Sequence, residues 1–178
     1  MSALADKVVA LHGALDAARH PHAFGGALAL AWCTQRARGT IDIDLNVFVD
    51  AARAASVVEA LPGEVAWSEA HLRLLEGDGQ ARLWWGGTPV DVFLDTTDFH
   101  RDAATRARTR PFGGAQVPFL GCSDLAVFKA FFSRTKDWAD LEEMWAAGTL
   151  DLDRVVGVLV RYLGAEDERV ARLLALAT

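Results

Sequence analysis

Asp42 and Asp44, in the run Arg38-Gly39-Thr40-Ile41-Asp42-Ile43-Asp44-Leu45, carry the most chemistry in their spacing. In a strand, side chains at i and i+2 share a face about 6 to 7 Å apart, so the two carboxylates converge while Ile41, Ile43 and Leu45 point into a core. A helix would send them to different faces. Asp91, in Thr88-Pro89-Val90-Asp91-Val92-Phe93-Leu94, lies opposite the alternating Val90, Val92 and Leu94. If its strand neighbours the first, three carboxylates meet, which is what two-metal phosphoryl or nucleotidyl transfer requires. The alternative is a set of solvated aspartates on a half-exposed sheet.

Other residues add to this set. Gly25-Gly26, upstream of the Asp-x-Asp strand, permits a tight turn whose N–H groups at a helix start can hold a triphosphate. Gly86-Gly87 and Gly113-Gly114 fit turns without chemistry. Lys129 interrupts the apolar Leu125-Ala126-Val127-Phe128-Lys129-Ala130-Phe131-Phe132, so it either snorkels to the surface or reaches an anion in a cleft. Asp137 and Asp140 share a helix face; Asp137 suits a cap or dipole partner, and Asp140 a partner for Arg134 or Lys136. Arg101, Arg106, Arg108 and Arg110 crowd ten residues with Asp102 as the local counter-charge, either as a solvated helix face or as a contact for a polyanion.

The remaining reactive residue types read as structural. His20 and His22 flank Pro21 without a third ligand at a recognisable spacing, and His12, His71 and His100 fit surface or partly buried places. Trp84, Trp85, Trp138 and Trp145 fit the core better than a stacking platform, and Ser123 fits a helix N-cap. Cys33 and Cys122, far apart and in no ligand motif, are expected to be reduced and buried.

The elements that must position these groups follow from periodicity and turn residues. Helices are expected at 3–19, with Leu4, Val8, Leu11 and Leu15 on one face, and at 27–36, 50–61, 123–134, 137–147, 151–163 and 166–176. Strands are expected at 41–49, 65–75, 81–85 and 90–94, with a helix or ordered loop over 98–110 and an edge strand at 117–120. Strands mixed with helices early and helices late make an α+β chain with a C-terminal helical bundle. A length of 178 residues, 52% apolar and 24% charged, fits one domain: an α/β core over 1–120 and a helical part over 121–178. A net charge of -6 excludes indiscriminate nucleic-acid binding but not a local basic groove. The N-terminus has no apolar signal core and the run from Ala27 to Cys33 is too short to span a bilayer, so a cytoplasmic protein without membrane contact is expected.

Taken together, Gly25-Gly26, Arg38-x-Thr40-x-Asp42-x-Asp44, Asp91, and Asp124-Leu125-x-x-x-Lys129 followed by Lys136-Asp137-x-x-Asp140 resemble the minimal nucleotidyltransferases of the DNA polymerase β superfamily, and within them the AbiEii and MenT group of type IV toxin–antitoxin systems. The likeness covers about residues 22 to 145. It implies a polymerase β-like core in which Asp42, Asp44 and Asp91 bind Mg²⁺, two ions in all. It further implies that Gly25, Gly26, Arg38, Thr40 and Lys129 contact the NTP and that an aspartate of the last motif, Asp137 or Asp140, is needed for activity. Several members transfer nucleotides to the 3′ end of tRNA, which implies an RNA acceptor, with the four arginines as its contact, and an antitoxin partner. Many relatives have Gly-Ser where this chain has Gly25-Gly26, so backbone donors must suffice. Nucleotidylation of a protein or small molecule, or a silent binding module of the same fold, are the alternatives.

Overall fold

A computed structural model describes residues 3–177. The chain divides into two compact units, one holding residues up to Leu28 with Gly39–Leu120, the other Ala29–Arg38 with the chain from Gly121.

The first unit is built on a mixed sheet. Helix α1 (Leu4–Ala17) buries Val8, Leu11 and Leu15, the stripe expected from their spacing. It closes with the His20 N–H on the Leu15 carbonyl and Arg19 at φ 58°, a left-handed position usually given to glycine. Strand β1 (His22–Phe24) follows, a short strand outside the expected set. After it come the first turn of α2 (Gly26–Thr34), whose residues from Ala29 belong to the second unit, then β2 (Ile43–Asp50), a 3-10 turn at Ala51–Arg53 capped by Asp50, and α3 (Ala54–Ala60). Then β3 (Val65–Ala66), α4 (Glu69–Asp78), β4 (Gln80–Trp85), β5 (Thr88–Asp95), α5 (Asp98–Ala103), β6 (Arg108–Phe112) and β7 (Ala115–Phe119) complete the unit. The strand order is β3-β4-β5-β2-β1-β7-β6, with β2 parallel to β5 and β1 parallel to β7.

Three expectations fail here for identifiable reasons. Residues 65–75 are mostly helix: Leu72 and Leu74 alternate like a strand, yet only Leu75 is buried, and Gly79 at φ 70° closes the helix by donating to the Leu75 carbonyl. The edge strand is β6, not β7. Pro118 is tolerated inside the sheet because β1 pairs with β7 only at Phe24 and Phe119, so no ladder bond from residue 118 is required on that side. Residues 108–110, expected in a helix or ordered loop, are strand residues of a hairpin turned by Gly113-Gly114, both at positive φ. Among the described residues no helix is long and apolar enough to cross a membrane.

The second unit is helical: α6 (Cys122–Phe132), α7 (Thr135–Ala146), α8 (Leu152–Leu163) and α9 (Glu168–Ala175). Leu125, Val127, Trp138, Leu141, Val155, Leu159 and Leu173 fill its core, and Arg172 lies 4.2 Å over the Trp138 ring. Asp151 and Asp167 cap α8 and α9. Gly121 caps α6, so Ser123 lies inside the first turn instead of capping it. Cys33 and Cys122 form a disulfide, with Cα atoms 5.6 Å apart, against the expectation of free thiols; a pair 89 residues apart leaves no spacing motif to read.

A crosslink that closes so long a loop acts mainly on the unfolded chain, so its reduction should lower the free energy of unfolding by roughly 2–4 kcal/mol. Urea denaturation with and without dithiothreitol, with free thiols counted, measures this. An unchanged midpoint in fully reduced protein would show that the crosslink contributes nothing.

Candidate active site

Four positions line up across the sheet of the first unit. The Gly25 N–H, just past β1, donates to the Asp44 carbonyl (2.8 Å). Asp44 on β2 is the registered partner of Asp91 on β5, and Asp91 of Arg82 on β4. Registered neighbours share a face at about 4.8 Å, so the two carboxylates stand side by side. Asp42 precedes Asp44 by two residues, just outside the strand, and accepts from the Thr40 hydroxyl at 2.6 Å. Ile43 and Leu45 are fully buried as expected, but Ile41 is 76% exposed because the strand begins after it.

Gly26 fits against this row in a way no other residue can. Its φ is +53°, and a Cβ built there would overlap the Asp44 carboxylate, 2.5 Å from Cγ. At Gly25 a Cβ would come 2.9 Å from Asn46 Nδ2. The paired glycines therefore first serve the approach of the turn to β2. One amide expected for a phosphate, that of Gly25, is already spent on Asp44; those of Gly26, Ala27 and Leu28 open α2 and have no intrahelical acceptor by position.

Arg82 neutralises part of the cluster. Its guanidinium forks onto Asp91 through two bonds of 2.7 Å, and it is 52% exposed. The hydrogen-bonded Asp91 raises the Arg82 pKa most, and the charges of Asp42 and Asp44 add to the shift, so one cation sits in the field of all three carboxylates. In this arrangement, among the described residues, no three His, Cys, Asp or Glu groups converge closely enough to hold a metal ion. The donor set itself suits a hard divalent cation, being all oxygen. One row further along, His100 is buried and bridges the Leu94 carbonyl (2.8 Å) and the Asn46 side chain (3.1 Å), and burial pushes its pKa down. The sequence gives no sign of this pair, because Asn46 falls inside an apolar strand and His100 comes from α5.

Within the second unit, Lys129 neither snorkels nor lies open to a ligand. Its side chain is 8% exposed, with Nζ 2.5 Å from Asp140 Oδ2 and 3.8 Å from Asp137 Oδ1. Arg38 completes the set at Asp140, with Nη2 donating to Oδ2 (3.0 Å) and Nη1 2.5 Å from Oδ1, an ion pair whose angles make no hydrogen bond. Asp137 accepts from the Arg134 backbone and guanidinium, which bears out its reading as a cap. Asp140 pairs with Lys129 and Arg38 rather than with the expected Arg134 or Lys136, since those two are not the cations the fold brings to it. Asp124 is buried beside Arg154 at 3.3 Å.

The four clustered arginines do not share a helix face. Arg101 in α5 bonds Asp95 (2.9 Å), Arg106 in the following 3-10 turn lies 5.9 Å over the Phe99 ring, and Arg108 and Arg110 are exposed on the edge strand β6. Trp138 is core, but Trp84 and Trp145, at 43% and 41% exposure, are not. Trp84 lies on the carboxylate-bearing face of the sheet, two residues from Arg82 along β4.

No family model and no curated protein matches the chain. Solved structures do. The antibiotic-resistance factor ANT(2'')-Ia superposes with a TM-score of 0.56 at 18% identity, over 96% of this chain and 89% of that one. An antigenic nucleotidyltransferase-like protein from Paracoccidioides brasiliensis gives 0.51 at 15%, over 97% and 92%. These likenesses show the fold: an α+β nucleotidyltransferase-like architecture with a mixed sheet.

Because Gly26 combines a left-handed backbone with contact against Asp44, Gly26→Ala should cost about 2–4 kcal/mol of stability. Gly87→Ala, where an added Cβ meets nothing within 4 Å, should stay within about 1 kcal/mol. Equal urea midpoints for the two variants would show that the Gly26 approach is not a constraint.

Proposed function

We propose that this chain is a Mg²⁺-dependent nucleotidyltransferase, moving the NMP of an NTP to an acceptor hydroxyl and releasing pyrophosphate. The observation that carries the reading is the row of Gly25, Asp44 and Asp91, with Gly26 held against Asp44 and Arg82 in the field of Asp42, Asp44 and Asp91 alike. Asp42, Asp44 and Asp91 would hold the ions, which when bound supply charge neutralisation for the attacking and leaving oxygens. Arg82, forked onto Asp91, competes with the ions for that carboxylate. An exposed pair of this kind is worth about 0.2–1 kcal/mol, so displacing it costs little. The first amides of α2 orient the phosphates. As the acceptor oxygen bonds to the α-phosphorus and the bond to pyrophosphate breaks, carboxylate oxygens not engaged by cations take the hydroxyl proton. No covalent enzyme intermediate is required, since positioning and charge carry the rate.

Lys129 and Arg38 are the proposed phosphate ligands of the second unit. In that role phosphate takes the place of Asp140 on Lys129. Truncating Lys129 would remove one of the two cations on the buried Asp140 and leave Arg38 alone to balance it, so loss of activity in Lys129→Ala would not separate binding from folding.

The acceptor proposed from the sequence resemblance is the 3′ end of a tRNA, with the protein a cytoplasmic toxin held by an antitoxin. The exposed Arg108 and Arg110 support a polyanionic acceptor. A small-molecule hydroxyl is the second reading. It draws on the engagement of Arg101 by Asp95 and of Arg106 by the Phe99 ring, and on the likeness to an antibiotic-resistance factor.

Each labelled NTP incubated with total RNA, with total protein and with a panel of polyhydroxylated small molecules should give Mg²⁺-dependent label in one acceptor class. Asp44→Asn should reduce it by about 10²-fold or more. Label retained at full rate by Asp44→Asn would sink the metal-site reading. In a separate binding assay read by Mn²⁺ electron paramagnetic resonance, Arg82→Ala should tighten Mn²⁺ binding by about twofold to fivefold. Weaker binding in that variant would make Arg82 a support of the site instead of a competing cation.

A further inference from the structure

Trp84 and Trp85 are neighbours in β4 and so point to opposite faces of the sheet. Trp85 is held in place: Lys7, in α1, donates to the Trp85 carbonyl (2.9 Å) and to the Thr88 hydroxyl (2.7 Å), and its Nζ lies 5.8 Å over the Trp85 ring. These bonds fix the β4–β5 turn. Trp84, on the other face, stays 43% exposed on a strand that cannot easily shift.

Register sets that indole beside the carboxylates. Its own row holds Ala66 on β3 and Pro89 on β5, both apolar. The next row holds Arg82 and Asp91, so Trp84 and Asp91 are diagonal neighbours about 7–8 Å apart. The strand order also gives the site two ends. The first amides of α2 follow β1, Asp44 and Asp91 lie on β2 and β5, and Arg82 and Trp84 lie on β4. Three inter-strand steps of about 4.8 Å separate β1 from β4, roughly 14 Å in all. In an in-line displacement the attacking oxygen and the departing pyrophosphate lie on opposite sides of the phosphorus. With the pyrophosphate drawn to the α2 amides, the acceptor approaches over β5 and β4.

We propose that Trp84 is the acceptor platform of this site: the acceptor carries a flat π ring, which stacks on the indole while its hydroxyl reaches the Asp44–Asp91 row. The direction of approach rests on the transfer reading above. A nucleoside at the end of an RNA and a small aryl compound share this chemistry, since each can place a hydroxyl within about 7–8 Å of a ring. Arg82, 52% exposed, lies two residues along the strand and is a donor for polar groups between ring and hydroxyl.

The full chain is titrated with adenosine against ribose and with phenyl β-glucoside against methyl β-glucoside, and the indole N–H signals are followed by NMR, that of Trp84 being assigned from Trp84→Phe. A ring-bearing probe should shift Trp84 saturably, adenosine marking a nucleoside acceptor and phenyl glucoside an aryl one, while ribose and methyl glucoside should not. Trp84→Leu, at an exposed position, should fold normally and weaken the bound probe about tenfold, read from the probe's own signals, and Trp84→Phe should keep most of the affinity. Saturation with a non-hydrolysable NTP should leave the Trp84 signal in place and the probe still able to move it. An NTP that shifts Trp84 and blocks the probe would give the indole to the donor nucleotide and overturn the proposal. Equal response to the ringless partners, no saturable shift, or unchanged affinity in Trp84→Leu would also overturn it. The titrations need no turnover: a silent Trp84 in a chain that still labels an acceptor overturns the platform alone, whereas no label in any acceptor class overturns the transfer reading.

Discussion

The backbone of Gly26 passes so close to the Asp44 carboxylate that no side chain fits between them, and much of the first unit follows from that approach. The turn can reach β2 only because Gly25 donates to the Asp44 carbonyl while Gly26 adopts a left-handed conformation. This contact sets the start of α2 beside the carboxylates. It also leaves no room for a side chain in the turn: at φ +53° and against Asp44, even a methyl group would collide. What the turn offers a ligand is the helix start, whose first amides have no intrahelical partners.

The two charged assemblies of the molecule differ in exposure, and exposure decides what each can do. Arg82 and Asp91 form a well-aligned pair that water still reaches, so the pair can open for a competing ion at small cost. Lys129, Asp137 and Asp140 are almost wholly buried. These buried groups depend on one another and on the half-exposed Arg38 and Arg134 for their charge balance, so the network behaves as one structural unit.

The paired glycines and the late helices were legible because each rests on local spacing, and the stripe of Val8, Leu11 and Leu15 requires only α1 itself. The Asp-x-Asp strand was legible in part: Asp44 lies on β2 opposite Asp91, whereas Asp42 falls just before the strand, where the strand period does not place it. The partners across strands and helices were not legible. Arg82 facing Asp91, His100 under Asn46, Arg38 on Asp140 and Cys33 on Cys122 all join distant segments, and their residue types alone allow many pairings. The α4 segment misled for the opposite reason: its leucines alternate locally, and tertiary packing on Leu75 overrode that pattern.

These long-range partners change what the local motif means. A cluster of three carboxylates read from sequence suggests a site awaiting metal, whereas the folded chain supplies its own cation in Arg82, placed by the β4–β5 register directly beside Asp91. Like charges this close destabilise an apo fold, and a guanidinium that forks onto one of them relieves that repulsion without burying itself. The positions of Asp44 and Asp91 are set by strand register and by Gly26, neither of which involves Arg82, so geometry and charge in this row come from different parts of the chain.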